Sequence, residues 1–306
     1  MKILITGATG LIGKALVNHF SAQHELTLVG RSREKIQSVF SNRYPIFTWN
    51  ELKAIDESSL ADQDIVINLA GENIGDQRWS ALKMQKIIDS RVDATKTIAT
   101  LCKKLGKKSP RLLNAGAIGI YGFSDEKIFS EESGLPDPSM CFLTKVASRW
   151  ENELKIAEDN SVSVVRMRFG VVLSRDGGAL TKMLPAFQLG LGAVLGNGKQ
   201  LFSWVQLDDL VRAIDFIITH PEITGPVNIV SPDVVSQAVF AKSLAHTLKR
   251  PLFLRFPAWF VKLLFGKMGD ELLLHGQHVK SEKLLKMGFQ FQFDTIDKAL
   301  QHSMNA

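Results

Sequence analysis

Three glycines impose the first constraint on this chain. Gly7, Gly10 and Gly13 stand at G-x-x-G-x-x-G spacing in Thr6-Gly7-Ala8-Thr9-Gly10-Leu11-Ile12-Gly13. An apolar run, Lys2–Thr6, precedes them and an amphipathic helical pattern follows. Each glycine has its own reason to be there. Gly7 permits the tight turn, Gly10 lets backbone approach a pyrophosphate, and Gly13 lets the helix pack close to the strand. The N–H groups at the helix start then face an anion. A dinucleotide site is the expectation, with Gly7, Thr9, Gly10, Leu11, Ile12 and Gly13 on its phosphate side.

Strand-like runs continue at Glu25–Val29, Pro45–Thr48, Asp64–Leu69, Arg111–Asn114 and Ser163–Arg168. Helical patterns separate them, a long one from about Ser80 to Leu105 and another from about Phe142 to Glu158. That alternation describes βαβ units, and six strands with crossovers predict an α/β chain with a Rossmann doubly wound parallel sheet. After Arg168 glycine-rich turns at Gly177-Gly178, Gly190, Gly192, Gly196 and Gly198 break up short strands. Helical patterns follow near Val205–Thr219 and Gln237–Leu248. We expect a cofactor-binding Rossmann domain over residues 1–168. A smaller α/β substrate-binding cap over 169–306 would be partly interleaved with it.

The end of the second strand chooses between cofactors. A carboxylate there would bind a ribose 2′-hydroxyl, whereas an arginine can accommodate a 2′-phosphate. The chain reads Val29-Gly30-Arg31-Ser32-Arg33, with no acid before Glu34. Arg31 can pair bidentately with phosphate and Ser32 can donate to it, so NADP(H) is the expected cofactor.

Bulk properties exclude other classes. No apolar run approaches the ~18 residues a membrane span needs, and Pro257–Phe265, interrupted by Lys262, is expected to be an amphipathic core helix. Met1-Lys2 leads directly into a strand without a signal pattern, and two cysteines, Cys102 and Cys141, cannot build a disulfide framework. A cytoplasmic setting is expected. The net charge of +6 hints at anionic partners, but Lys103, Lys104, Lys107 and Lys108 form one short cluster without interleaved aromatics. A solvated helix end is the better reading than a nucleic-acid patch. None of the seven histidines forms a metal pair, so no metal is expected.

Further motifs follow in order: Asn68-Leu-Ala-Gly71-Glu72-Asn73, Arg78-Trp79, Ser90-Arg91, Trp150-Glu151, Arg168-Phe-Gly-Val-Val-Leu173, Met183-Leu-Pro185 and Trp204-Val-Gln-Leu-Asp-Asp209. Together they resemble the atypical extended short-chain dehydrogenase/reductases of the "epimerase family protein" group, within the NAD-dependent epimerase/dehydratase superfamily. The stretch of about 250–300 resembles that group's small conserved tail domain. The resemblance covers nearly the whole chain. It implies NADP(H) binding, with Arg31 and Ser32 at the 2′-phosphate, Leu69 and Ala70 passing under the ribose, and Gly71 also at the cofactor. Arg91 and Ala115 are implied as further cofactor neighbours, and Glu72, Tyr121 and Trp204 as substrate-pocket residues. Some members are labelled nucleotide-sugar epimerases or cell-division inhibitors, and some plastid relatives are tied to organelle division.

The catalytic pattern departs from that superfamily. Ordinary members use a serine or threonine after the fifth strand plus a Tyr-x-x-x-Lys pair, in which the lysine and the nicotinamide ribose lower the tyrosine's pKa. Here the hydroxyl position falls at Gly116, the tyrosine position near Phe142 or Leu143, and the lysine position at Ala147. Tyr121 and Lys145 are the residues that could stand in for proton transfer. Cys141 has no histidine at a nucleophile-activating spacing. In the cap, Asp208 is expected to N-cap the following helix, and Gln200 and Lys182 could reach a substrate. Two functions remain open, an NADP(H)-dependent oxidoreductase or epimerase on a small polar molecule and a cofactor-binding regulator without catalysis. The residues name neither the substrate nor an oligomeric state.

Overall fold

The computed structural model describes residues 1–54 and 58–305. Its centre is a sheet of seven strands: β1 (Lys2–Thr6), β2 (Glu25–Gly30), β3 (Ile46–Thr48), β4 (Ile65–Asn68), β5 (Arg111–Ala117), β6 (Val164–Phe169) and β7 (Gly225–Ile229). Their order is β7-β6-β5-β4-β1-β2-β3, and every pairing is parallel. The order reverses between β1 and β4, which opens a crevice at the C-terminal ends of those strands.

Parallel strands buried on both faces should be largely apolar, and the inner runs of β1, β2 and β4 are. Ile3 and Ile5 of β1 point into one layer with Leu28, Ile67, Leu113 and Val165. Leu4 points into the other with Val29, Val66, Leu112 and Val164. The principal helices are α1 (Leu11–Phe20), α2 (Arg33–Phe40), α3 (Ala81–Leu105), α4 (Phe142–Asn152), α5 (Leu207–Thr219), α6 (Gln237–Thr247) and α7 (Ala258–Gly269). Ser32 caps α2 by accepting from Lys35 N at 3.1 Å, and Ser80 caps α3 by accepting from Lys83 N at 3.1 Å.

Four expectations need correction. The sheet has a seventh strand, β7, from well downstream of Arg168. Its sequence, Gly225-Pro-Val-Asn-Ile229, hides it, because proline and glycine are tolerated at a sheet edge and weaken a strand signal. The helical pattern from Phe142 to Glu158 is two helices, α4 and a short one at Lys155–Glu158. The N-cap of α5 is Gln206, whose side chain accepts from the N–H groups of Asp208 and Asp209; Asp208 instead contacts His302 at 2.6 Å. Finally, the apolar stretch at 257–265 is not a core helix. In α7 Val261 and Gly269 are the buried residues, while Trp259 is 67% and Leu263 64% exposed. Apolar residues surround that helix, so periodicity could not tell which side would find the core.

The C-terminal half builds its own core around Trp204, Leu180, Leu184, Phe240 and Leu300. The tail then returns to the sheet. His278–Val279 pair with Ile128–Phe129, and Ser281 Oγ donates to Val230 O just beyond β7. Among the described residues no helix is long and apolar enough to cross a membrane.

Candidate functional site

The glycine loop sits where β1 ends at the crevice. Gly7 has φ +68°, and a Cβ there would lie 2.7 Å from Leu69 O. A Cβ on Gly13 would lie 2.4 Å from Gly7 O, so α1 can approach β1 only with glycine at that position. Gly10 begins α1 with no side chain capping it, which leaves the helix's first N–H groups to an anion. Gly7 and Gly10 line a cleft of about 560 Å³ with Ala8, Thr9, Leu69, Ala70 and Gly71. A pyrophosphate fits this arrangement: bare backbone, an uncapped helix start and no intruding side chain.

Beyond the glycine loop the cleft is lined by charged side chains of both signs, among them Arg31, Lys35 and Lys53 and the carboxylates Glu72, Asp76 and Asp93. Arg31 follows β2 with its side chain 81% exposed, 3.6 Å from Glu72. Lys35, one turn along α2, and Lys53, from the helix Trp49–Ala54, line the same cleft. Ser32 also stands there, but its hydroxyl donates to Glu34 at 2.7 Å while capping α2. Sequence reasoning missed both lysines. Lys35 was legible as the next exposed position on α2, whereas Lys53 is brought in by tertiary packing.

Glu72 links this part of the cleft to a buried charge. Lys83, with a side chain 2% exposed, contacts Glu72 at 2.9 Å and Asp76 at 2.8 Å. Burial pulls the Lys83 ammonium down, but the two carboxylates outweigh it and hold its pKa above the ordinary value. Arg91 lies behind Gly71 instead of on the cleft wall. Its Nη1 donates to the carbonyls of Glu72 and Ile87 at 3.0 Å each, and its guanidinium covers Trp150 at 5.1 Å. Burial lowers its pKa to about 10, with Glu72 opposing, so it stays charged at neutral pH. Leu11, Ile12, Gly13 and Ala115 are not among the residues that line this cleft; Leu11 packs on Gly177.

The stand-ins for catalysis are not at this cleft. Tyr121 is 1% exposed; its hydroxyl donates to Asn228 Oδ1 at 2.8 Å and accepts from Arg168 Nη1 at 2.8 Å. Burial raises its pKa despite the neighbouring guanidinium. Arg168 is held in turn by both oxygens of Glu151 at 2.8 Å. Lys145 lies on the outer face of α4, in a separate groove with Arg149 and Lys267. Trp204 is fully buried in the C-terminal core and lines neither this cleft nor the groove at Lys145. At Gly116, the hydroxyl position, a Cβ would lie 3.3 Å from both Glu151 Oε1 and Met167 O, a tight fit beside the core ion pair. Ala147, at the lysine position, is buried. Of the cap residues, Lys182 reaches the carbonyl of Gly75, and Gln200 is buried against Leu195 O and Leu273 O.

Comparison with known proteins decides the family. The model of the NAD-dependent epimerase/dehydratase family matches residues 3–230, and a domain of unknown function, DUF1731, matches residues 256–303. The chain belongs to the NAD-dependent epimerase/dehydratase family. Among relatives, epimerase family protein Mb2239 of Mycobacterium bovis is 36% identical over 98% of this chain and 97% of its own length. Human epimerase family protein SDR39U1 is 33% identical over 98% of this chain and 99% of its own. The crystal structure of human SDR39U1 isoform 2 with NADPH matches with a TM-score of 0.90 and 32% identity, covering 100% of both chains. In this epimerase-family chain the first six strands, the glycine loop and β7 all fall within the family match, whereas α7 falls within the tail domain.

Proposed function

We propose that this epimerase-family chain binds NADP(H) across the crevice over the glycine loop and acts as an oxidoreductase or epimerase on a small polar molecule. The observation that carries the cofactor is the end of β2. Arg31, Lys35 and Lys53 line the cleft, and β2 ends without a carboxylate to bind a 2′-hydroxyl. The human relative crystallised with NADPH supports the same choice. Gly7, Thr9 and Gly10 would hold the pyrophosphate, Arg31 with Ser32 and Lys35 the 2′-phosphate, and Leu69, Ala70 and Gly71 would pass under the ribose. Once bound, the nicotinamide supplies a hydride donor or acceptor. Residues 1–168 with β7 form the cofactor part, and the chain beyond supplies the cap and tail over the substrate end. The setting we propose is cytoplasmic, with a small-molecule partner and no nucleic acid.

A second function is favoured by one specific observation: neither Tyr121 nor Lys145 lies at the cleft. General acid help is worth ~10²–10⁴-fold, so its loss slows turnover without abolishing it. A chain that holds NADPH and turns nothing over would be a cofactor-binding regulator. Steady-state NADPH oxidation with a panel of sugar nucleotides, quinones and aldehydes separates the two. Slow turnover on a carbonyl class supports the enzyme, and none on any supports the regulator.

A further inference from the structure

The tail reaches the cofactor part of the molecule through one carboxylate. Glu271 lies in the π-helical turn Asp270–Leu274 that follows α7, and it is 7% exposed. Its Oε1 accepts from the backbone N–H of Phe142 at 3.1 Å, and its Oε2 accepts from that of Leu143 at 3.0 Å. Those are the first two residues of α4. The next N–H, of Thr144, points at Cys141 Sγ at 3.4 Å. The opening turn of α4 therefore has its free donors satisfied, two of them by a residue more than a hundred positions later in the chain. A buried carboxylate on two such donors is a charge-assisted contact that also complements the positive end of the helix dipole.

That first turn is tied to the sheet as well. Thr144 Oγ1 donates to Gly119 O at 3.1 Å, and a Cβ on Gly119 would lie 3.3 Å from Leu143 Cβ. Gly119 belongs to the turn that leaves β5, so α4 starts against the C-terminal end of that strand. The tail also bonds the segment just after that turn, where Gly276 O accepts from Ser124 N at 3.1 Å. On the NADP(H) reading, a dinucleotide laid from the glycine loop across β1 and β4 would run on toward the C-terminal end of β5, against which α4 starts. The adenosine end, at Arg31, lies across the crevice on the β2 side.

We infer that Glu271 is a positioning residue for the nicotinamide half of the site, an inference that rests on the NADP(H) reading above. By gripping Phe142 and Leu143, the tail domain sets where α4 begins and so where the wall beyond β5 stands. The domain of unknown function thereby aligns one half of the cofactor cleft and leaves the phosphate end to the glycine loop.

The test uses the full-length chain and two probes. NADPH is followed by its dihydronicotinamide fluorescence, and 2′,5′-ADP, which carries only the adenosine end, by calorimetry. In Glu271→Gln the amide can accept from only one of the two N–H groups and turns a donor toward the other. NADPH affinity should fall by about fivefold or more, with altered nicotinamide emission, while 2′,5′-ADP stays within about twofold. Glu271→Asp keeps the charge but reaches one N–H, and should fall between wild type and Glu271→Gln. Equal weakening of both probes, or of neither, in a folded variant overturns the assignment. If neither variant folds, Glu271 serves the fold as a whole and the assignment also fails. A wild type that binds neither probe would instead remove the cofactor reading itself.

Discussion

Arg168 Nη1 donates to the Tyr121 hydroxyl at 2.8 Å inside the core, where both side chains are buried. The tyrosine is therefore a member of a buried network with Asn228, Arg168 and Glu151. Removing its hydroxyl should cost stability and spare the site. We expect Tyr121→Phe to lose about 1–3 kcal/mol, because Arg168 and Asn228 each lose a buried partner. Urea denaturation measures the loss, and NADPH titration should show wild-type affinity. An intact stability with a lost nicotinamide response would return Tyr121 to the reaction.

The glycines of the loop should separate by role. Gly10 has only Gly7 O within 4 Å of its Cβ position, at 3.2 Å, so Gly10→Val should fold and fail to bind NADPH. Gly13→Val drives its Cβ to 2.4 Å from Gly7 O and should lose the fold, as seen by circular dichroism and thermal melts. A folded Gly10→Val with unchanged affinity would place the phosphates elsewhere.

Two histidines should make stability fall on mild acidification. Burial lowers the pKa of His278, with Lys280 adding to it, and burial lowers that of His24, with the N-terminal amine adding. Unfolded histidine takes its proton near the ordinary 6.5, whereas these folded ones take it only at lower pH. The stability they confer is present above 6.5 and is lost as pH falls toward their folded values. Urea midpoints should therefore drop between about pH 7.5 and about pH 5.5, and His278→Gln should reduce that drop. A midpoint that rises over this interval contradicts the assignment.

Local chemistry is what the sequence makes legible. The glycine loop needs only a strand, three glycines and a helix within a short stretch, and Arg31 needs only its place after β2. The long run of α3, read from about Ser80 to Leu105, is equally local. What depends on distant partners is hidden. Tyr121 reads as a pocket residue because its fate is set by Arg168 and Asn228, 47 and 107 positions away. Lys53 joins the cleft, and Glu271 grips α4, only through tertiary packing. The exposed flank of α7 is illegible for another reason: a helix apolar on every side carries no periodic signal for the face that packs.

The most direct test of the cofactor assignment is calorimetry of the wild type and Arg31→Ala with NADPH and NADH. Arg31 is exposed at the cleft and free to turn from Glu72 to a phosphate. The wild type should bind NADPH at least about tenfold more tightly than NADH, a difference of ~1.4 kcal/mol that one charge-assisted contact supplies. Arg31→Ala should lose most of that preference while leaving NADH affinity unchanged. Equal affinities of the wild type for the two cofactors would contradict an NADP(H) site.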